Sequence, residues 1–500
     1  MTSPALAPPA LALDDSTVAR LPEAVRTPTY DRRSLAPAVV HFGVGGFHRA
    51  HQAVYLDDLA ELGDTGWGLT GVGLRSPQMG EVLAAQDGLF VVVERTVEED
   101  LARVIGVMGR YLFGPEDPEA VLATLADERT RLVTLTITGT SYLIDPSTGE
   151  FEADEEITSD LEGTGQPSTT FGYLVEALDR RRAAGLPPFT VLSCDNMPNN
   201  GAAARTAVVS FARLRDQQLG DWIDEHVSFP SSMVDRITPN TSPEERDAIV
   251  ADIGVADRWP VVTEPFRQWI VEDAFCNGRP PLEQVGAQLV ADVAPYEQMK
   301  TRLLNGGHTA LGFLGYLAGF RTTDEVIADP VYRDYLATMM AEEIVPGLAD
   351  VPGIDLAAYQ QTLIDRLANP RMGDQLARLC RRGSTKIPNY VLPSVRAAME
   401  DHRSYTLLAL AVAGWVRFLR GYDYAGDELP VVGPRMHLME VARDAGTDPG
   451  PLLSEREVFG ELGEHADFLA AVRTHLEALE RQGPREVIAE CLADLRSDRR

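Results

Sequence analysis

Hydrophobic and polar positions divide the chain into two regimes. Up to about residue 295, short apolar runs bounded by turn residues alternate with stretches of helical period. Ala38–Phe42, Trp67–Leu74, Leu89–Glu94, Leu132–Thr138 and Phe189–Cys194 are β-rich runs of this kind, and each predicts a strand. Phe47–Gly63 predicts a helix between the first two. Strands alternating with helices predict a parallel sheet with crossover helices. From Tyr296 onward the period is mostly helical, with Pro and Gly at the breaks. Gln298–Ala318, Val331–Ile344 and Tyr405–Leu419 are the clearest predicted helices. The expected organisation is an extended N-terminal arm over 1–35, an α/β domain over 36–295 and a mostly α-helical C-terminal domain over 296–500.

Composition narrows the class. Hydrophobic residues make up 44% and charged residues 24% of 500 residues, enough to bury a large core without staples. The formal net charge is −30, spread along the chain. Such a surface repels phosphate backbones and anionic membranes, so neither nucleic acid nor membrane is an expected partner. The four cysteines, Cys194, Cys276, Cys380 and Cys491, lie far apart and offer no zinc spacing or disulfide framework. No basic start precedes an apolar run in the first 36 residues, and the apolar stretch near Leu407–Val416 is too short to span a bilayer. A cytoplasmic location and no metal are expected.

Gly43-Val44-Gly45-Gly46 directly follows the first strand and precedes a helix. A dinucleotide pyrophosphate binds at such a turn, because glycine admits close backbone approach and the helix N-terminus is electropositive. His48 replaces the third glycine of the usual pattern, and a plain tight turn would use the same residues. His48 and His51 have metal-ligand spacing, but no carboxylate or further histidine joins them.

The segment from Tyr296 to His308 carries the chemistry. At ~100° per residue, Lys300 at ~0°, His308 at ~80° and Asn305 at ~140° share one side of a helix. An exposed polar stripe would explain these types, yet Gly306-Gly307 inside a helix costs stability unless something approaches the backbone closely. Alcohol oxidation needs a base for the hydroxyl proton, and a lysine serves if burial lowers its pKa. Amides stabilise the oxygen as it gains charge. Asn305 offers one, and Asn196, just beyond a strand end, offers another. Tyr296-x-x-x-Lys300 also fits the Tyr/Lys pair of short-chain dehydrogenases, but there the pair follows the glycine loop far more closely.

Six blocks carry a resemblance to a known family: HFGVGGFHRAHQ (41–52), SCDNMPNNG (193–201), FPSSMVDRITP (229–239), TEPFRQWIVEDAFCNGRP (263–280), YEQMKTRLLNGGH (296–308) and GSTKIPNYVLP (383–393). Together they resemble the polyol-specific long-chain dehydrogenases over nearly the whole chain beyond the arm. The resemblance implies a Rossmann-like N-terminal dinucleotide-binding domain, a helical C-terminal domain and an active site between them. It implies Lys300 as general base, Asn196 and Asn305 as donors to the reacting oxygen, and His308 as substrate-orienting. Asp235 and Arg378 match polyol-contacting positions, with Lys386 nearby. Gly43, Gly45, Gly46, Phe47, His48, Arg75 and Val234 are the expected cofactor contacts. The family works without zinc, and monomers are common in it; a monomer or weak homo-oligomer is expected.

The implied reaction is NAD-dependent oxidation of a sugar alcohol to a ketose, foremost D-mannitol to D-fructose. Oxidation of D-arabinitol or D-sorbitol and reduction of a hexuronate such as fructuronate are alternatives; Arg378 or Lys386 would serve a hexuronate carboxylate. A nucleotide sensor without turnover would have no use for the base. Two departures stand out. Leu74-Arg75-Ser76-Pro77-Gln78 lacks the acidic residue that holds the adenosine ribose in NAD-preferring relatives, which leaves NADP open. Gly139 stands where many relatives carry a glutamate linked to proton passage, and Glu297 is the nearby substitute.

Overall fold

The computed structural model describes residues 10–145, 148–162 and 166–497. The chain forms two compact units, Met1–Ala294 and Pro295–Arg500.

The first unit is built on a five-stranded parallel sheet. Its strands are β1 (Pro37–Phe42), β2 (Gly68–Gly73), β3 (Met108–Phe113), β4 (Leu132–Leu135) and β5 (Thr190–Ser193), in the order β3-β2-β1-β4-β5. This is the Rossmann order, with its switch point between β1 and β4. Val40 and Phe42 of β1 pack under the helices Thr170–Ala184 and Asn200–Arg215, while Val39 packs on the opposite face with Gln52–Glu61. Cover on both faces explains why these strands read as continuous apolar runs.

Several features of this unit differ from the sequence expectation. The strand expected at Leu89–Glu94 forms as Phe90–Arg95, but it pairs antiparallel with Asp100–Ile105 and parallel with Val261–Thr263 in a separate sheet. The helix expected over Phe47–Gly63 is two helices, α1 (Gly46–Ala50) and α2 (Gln52–Glu61), broken at His51 with φ −121° and ψ −87°. Described residues of the arm lie against the unit: Leu11–Ala12 pairs with Val255–Ala256, Val25–Arg26 pairs with strand Asp100–Ile105, and Leu13 and Val25 are buried.

The second unit is helical. Thr406–Phe418 is buried from Leu407 onward all the way round, as a central helix must be. The Glu343 carboxylate closes its N-terminus, accepting from the Leu407 and Leu408 N–H groups at 3.0 and 2.9 Å. The stretch expected as one helix over Gln298–Ala318 is α3 (Ala294–Lys300), a π-helical segment (Thr301–Asn305) and α4 (Gly306–Leu317). Two further π-helical segments occur, Met339–Ile344 and, directly after Lys386, Ile387–Val391.

Candidate active site

At the carboxyl end of β1 the chain turns through Gly43, whose φ is +95°. A Cβ there would stand 2.1 Å from the Thr136 carbonyl oxygen beyond β4, so only glycine fits. Gly45 and Gly46 differ: a Cβ on either would meet nothing nearer than 3.8 Å. Both face a cleft of about 540 Å³ that is also lined by Leu74, Arg75, Arg246 and Trp259. Thr136, Leu74, Arg75 and Gly43 also line an adjoining cavity of about 340 Å³. A bare glycine turn at the switch point, open to a cleft lined by Arg49, Arg75 and Arg246, fits a dinucleotide. Arg246, which the sequence reading missed, has its guanidinium 4.1 Å from the Trp259 ring centre.

Of the expected cofactor contacts, Gly43, Gly45, Gly46 and Arg75 line the cleft; Phe47, His48 and Val234 are not among its described lining residues. His48 is fully buried and stacked on His41, with ring centres 3.3 Å apart. Burial, then the neighbouring His41, holds its pKa well below the usual histidine value. Val234 is buried in the core at 4% exposure, and Phe47 stacks on His51 at 5.0 Å. Val234 belongs to the apolar cluster that buries Val44, Phe47 packs against it, and both so support the loop. His41 does so by hydrogen bonding: its Nε2 lies 2.9 Å from Thr136 Oγ1 and its Nδ1 2.7 Å from Thr134 Oγ1.

Asn196 is exposed just beyond β5. Its neighbours are fixed. The Asp195 carboxylate accepts from the Ile137 and Thr138 N–H groups at 3.1 and 2.8 Å and from the Tyr142 hydroxyl at 2.8 Å. The Asn200 amide donates to the Asp195 and Ser232 carbonyls at 2.9 and 2.7 Å. Ser232 opens the strand that ends at the buried Asp235. One hydrogen-bonded chain therefore joins the loops after β4 and β5 to the Asp235 strand. The block around Asn196 marked this place, but nothing in it announced Asp195 as a buried acceptor.

In the second unit, Lys300 is buried at 5% exposure and stands at the start of the π-helical segment. In a π turn the hydrogen bond spans five residues, so Lys300 and Asn305 come to one side more closely than an α-helical count gives. Single π turns occur frequently at functional sites. The glycine pair admits protein and not ligand: a Cβ on Gly306 would stand 3.0 Å from the Tyr390 carbonyl oxygen, and one on Gly307 2.9 Å from Leu336 Cδ1.

His308, Lys300, Arg378 and Lys386 do come together. Burial, then Arg378, Arg366, Lys386 and Lys300, holds the His308 imidazole well below its usual pKa, so it is neutral. Its Nε2 is buried without a hydrogen-bond partner among the described residues, a position a ligand hydroxyl would satisfy. Arg378 is forked onto Asp374, with Nε 2.7 Å from Oδ1. Lys386 Nζ donates to the Leu379 carbonyl at 2.7 Å, and burial, then Arg378, lowers its pKa to about 8. Arg366, buried at 8% exposure, is a further cation that the sequence reading did not single out. Among the described residues no group of three or more His, Cys, Asp or Glu could hold a metal ion, and no helix is long and apolar enough to cross a membrane.

Comparison with known proteins gives the same two units. Residues 37–284 match the mannitol dehydrogenase Rossmann domain, and residues 292–480 match the mannitol dehydrogenase C-terminal domain. Mannitol 2-dehydrogenase of Aspergillus fumigatus is 44% identical over 471 residues, covering 92% of this chain and 94% of the relative. Mannitol 2-dehydrogenase of Phaeosphaeria nodorum is 42% identical, covering 97% and 86%. Among solved structures, the Pseudomonas fluorescens mannitol 2-dehydrogenase complex with NAD and D-mannitol superposes with a TM-score of 0.85 at 42% identity, covering 97% of this chain and all of that one. A D-sorbitol dehydrogenase in substrate-free form superposes at 0.90 with 36% identity, covering 96% and 100%. With both family domains matched in order and relatives above 40% identity over nearly its whole length, the chain belongs to the mannitol dehydrogenase family, a group of polyol oxidoreductases.

Proposed function

We propose that this chain oxidises a secondary alcohol of a sugar alcohol to the ketose, with D-mannitol to D-fructose as its main reaction and NAD as cofactor. The observation that carries the chemistry is the buried Lys300 at a π turn, beside Asn305 and a neutral His308. The substrate and cofactor rest on the mannitol 2-dehydrogenase relatives and on the neighbour solved with NAD and D-mannitol. D-sorbitol is the second reading, favoured by the D-sorbitol dehydrogenase superposition at a TM-score of 0.90.

The cleft above Gly45 and Gly46 would hold the pyrophosphate, with Arg246 as counter-charge. NAD, when bound there, would supply the hydride acceptor for the alcohol carbon. Neutral Lys300 takes the hydroxyl proton as the C–H bond breaks, so the alcohol oxygen becomes the carbonyl oxygen. The Asn196 and Asn305 amides donate to that oxygen while it carries charge; losing one such donor typically costs ~10²–10³ in rate. His308 accepts or donates at a substrate hydroxyl through Nε2. Asp235, Arg378 and Lys386 hold the remaining hydroxyls. No step of this scheme uses a metal.

A spectrophotometric screen of D-mannitol, D-sorbitol, D-arabinitol and the hexuronates, with NAD and NADP in parallel, tests the reading. The expected result is the highest kcat/KM on D-mannitol with NAD. Turnover confined to hexuronates would replace it.

A further inference from the structure

We propose that Glu156 supplies the acidic residue missing after β2, and that its pairing with Arg75 sets the choice between NAD and NADP. The inference rests on the dinucleotide-site reading above and adds a residue to it. β2 ends at Gly73, and Leu74-Arg75 follow it into the space shared by the two adjoining cavities. In this fold the residue after the second strand meets the adenosine ribose: a carboxylate takes the 2′-hydroxyl, an arginine a 2′-phosphate. Taken alone, Arg75 would favour the phosphate. It does not stand alone.

Arg75 Nη1 donates to Glu156 Oε1 at 2.9 Å, across 81 positions of sequence. Glu156 lies in the first turn of the helix Glu155–Glu162 and lines the smaller cavity together with Asp154. The Asp154 carboxylate is itself turned to that helix, accepting from the Ile157 N–H at 2.9 Å. A 2′-phosphate brought to Arg75 would thus meet a guanidinium already engaged by a carboxylate, with a second carboxylate on the same wall. A ribose 2′-hydroxyl meets no such repulsion and finds an acceptor in Glu156. Both side chains are well exposed, Arg75 at 79% and Glu156 at 54%, so solvent screens the effect and it is one of selectivity, not of fold.

The test is direct binding. Dissociation constants for NADH and NADPH, read from nucleotide fluorescence, are compared for the wild type, Glu156→Gln, Arg75→Ala and the double variant. Glu156→Gln keeps an oxygen for Arg75 and removes the charge, so the NADPH-to-NADH ratio should move about fivefold toward NADPH, the size of one screened charge pair. Adding Arg75→Ala to Glu156→Gln should remove that gain, because the freed guanidinium is what the phosphate binds. Unchanged melting temperatures show that the variants are folded. A ratio that Glu156→Gln leaves within twofold of wild type overturns the inference while leaving the cofactor site in place. Failure of the wild type to bind either nucleotide overturns the site and the inference together.

Discussion

The Tyr142 hydroxyl stands 2.8 Å from Oδ2 of Asp195, and the same carboxylate holds the N–H groups of Ile137 and Thr138. Asp195 is 7% exposed, and burial raises its pKa. The next residue is Asn196, so whatever fixes Asp195 fixes the amide assigned to the reacting oxygen. Asp195→Asn turns a donor toward N–H groups that need an acceptor. It should cost ~1–3 kcal/mol of stability, the penalty of an unsatisfied buried donor, and lower kcat with little change in NADH affinity. Tyr142→Phe keeps the carboxylate and should cost ~1 kcal/mol. Chemical denaturation of both variants decides; equal losses would take the carboxylate out of its central place.

Thr138 is the strained end of this arrangement. It is a β-branched residue at φ 75° and ψ 146°, where side chains are rarely found. Such a conformation costs ~1–3 kcal/mol and persists only when its surroundings hold it. Thr138→Gly should therefore leave stability unchanged or raise it by up to ~1 kcal/mol. A clear fall in the unfolding midpoint would mean that the Thr138 side chain contributes more than its backbone costs.

How far the sequence carried this structure depends on range. β1 and its glycine turn were legible because a continuous apolar run ending in glycines is a local signal. The strand at Phe90–Arg95 was legible as a strand but not as a member of a second sheet, since buried strands look alike in either pairing. Met108–Phe113, interrupted by Gly109 and Arg110, gave no strand signal and became the edge strand. The Lys300 helix was readable in its residue types but not in its phase, because a 3.6-residue period cannot reveal a π turn. The Arg75–Glu156 pair and the Asp195 acceptors join distant segments, and no local pattern encodes such meetings.

Lys300→Ala should abolish most of the oxidation without emptying the cofactor site. Lys300 belongs to the second unit, whereas Gly43, Gly45, Gly46 and Arg75 all belong to the first. General-base contributions are typically ~10²–10⁴ in rate. NADH affinity of the variant, measured by fluorescence, should stay within a few-fold of wild type while kcat falls by at least ~10². A variant keeping a tenth of wild-type turnover would have another base.

Stability should fall as pH drops below the ordinary histidine range. Burial holds His41 and His51 at about 3 and His475 at about 4, and keeps His48 and His308 well below their usual value. Unfolded histidines take up protons near ~6.5, so between roughly pH 6.5 and 5 the unfolded chain binds protons that the folded chain does not. Each such group removes up to ~1.4 kcal/mol per pH unit. Buried Asp57, Asp195, Asp257 and Glu343 have raised pKa values and act in the opposite sense at lower pH, which confines the clean window to the upper range. Melting temperatures across that window should decline with acidity. A flat profile would require these rings to be protonated in the folded state.

The last expectation separates two lysines by the direction of their pH effects. A base must be neutral, so oxidation should rise with pH to a plateau, and ketose reduction, which needs the ammonium, should fall over a similar range. Lys386 complicates the profile, because burial and then Arg378 bring its own pKa to about 8. Below that pH it is a cation beside Arg378; above it, a neutral donor still bonded to the Leu379 carbonyl. Its ionisation therefore bears on how the substrate is held and should show mainly in KM. In Lys386→Gln the KM change around pH 8 should disappear, while the opposed limbs of kcat in oxidation and reduction remain. If the limbs of kcat vanish with Lys386, the proton passes through that residue. Profiles of kcat that are flat from about pH 6 to 10 in the wild type would leave Lys300 a hydrogen-bonding role at the substrate oxygen and require the proton to leave by another group.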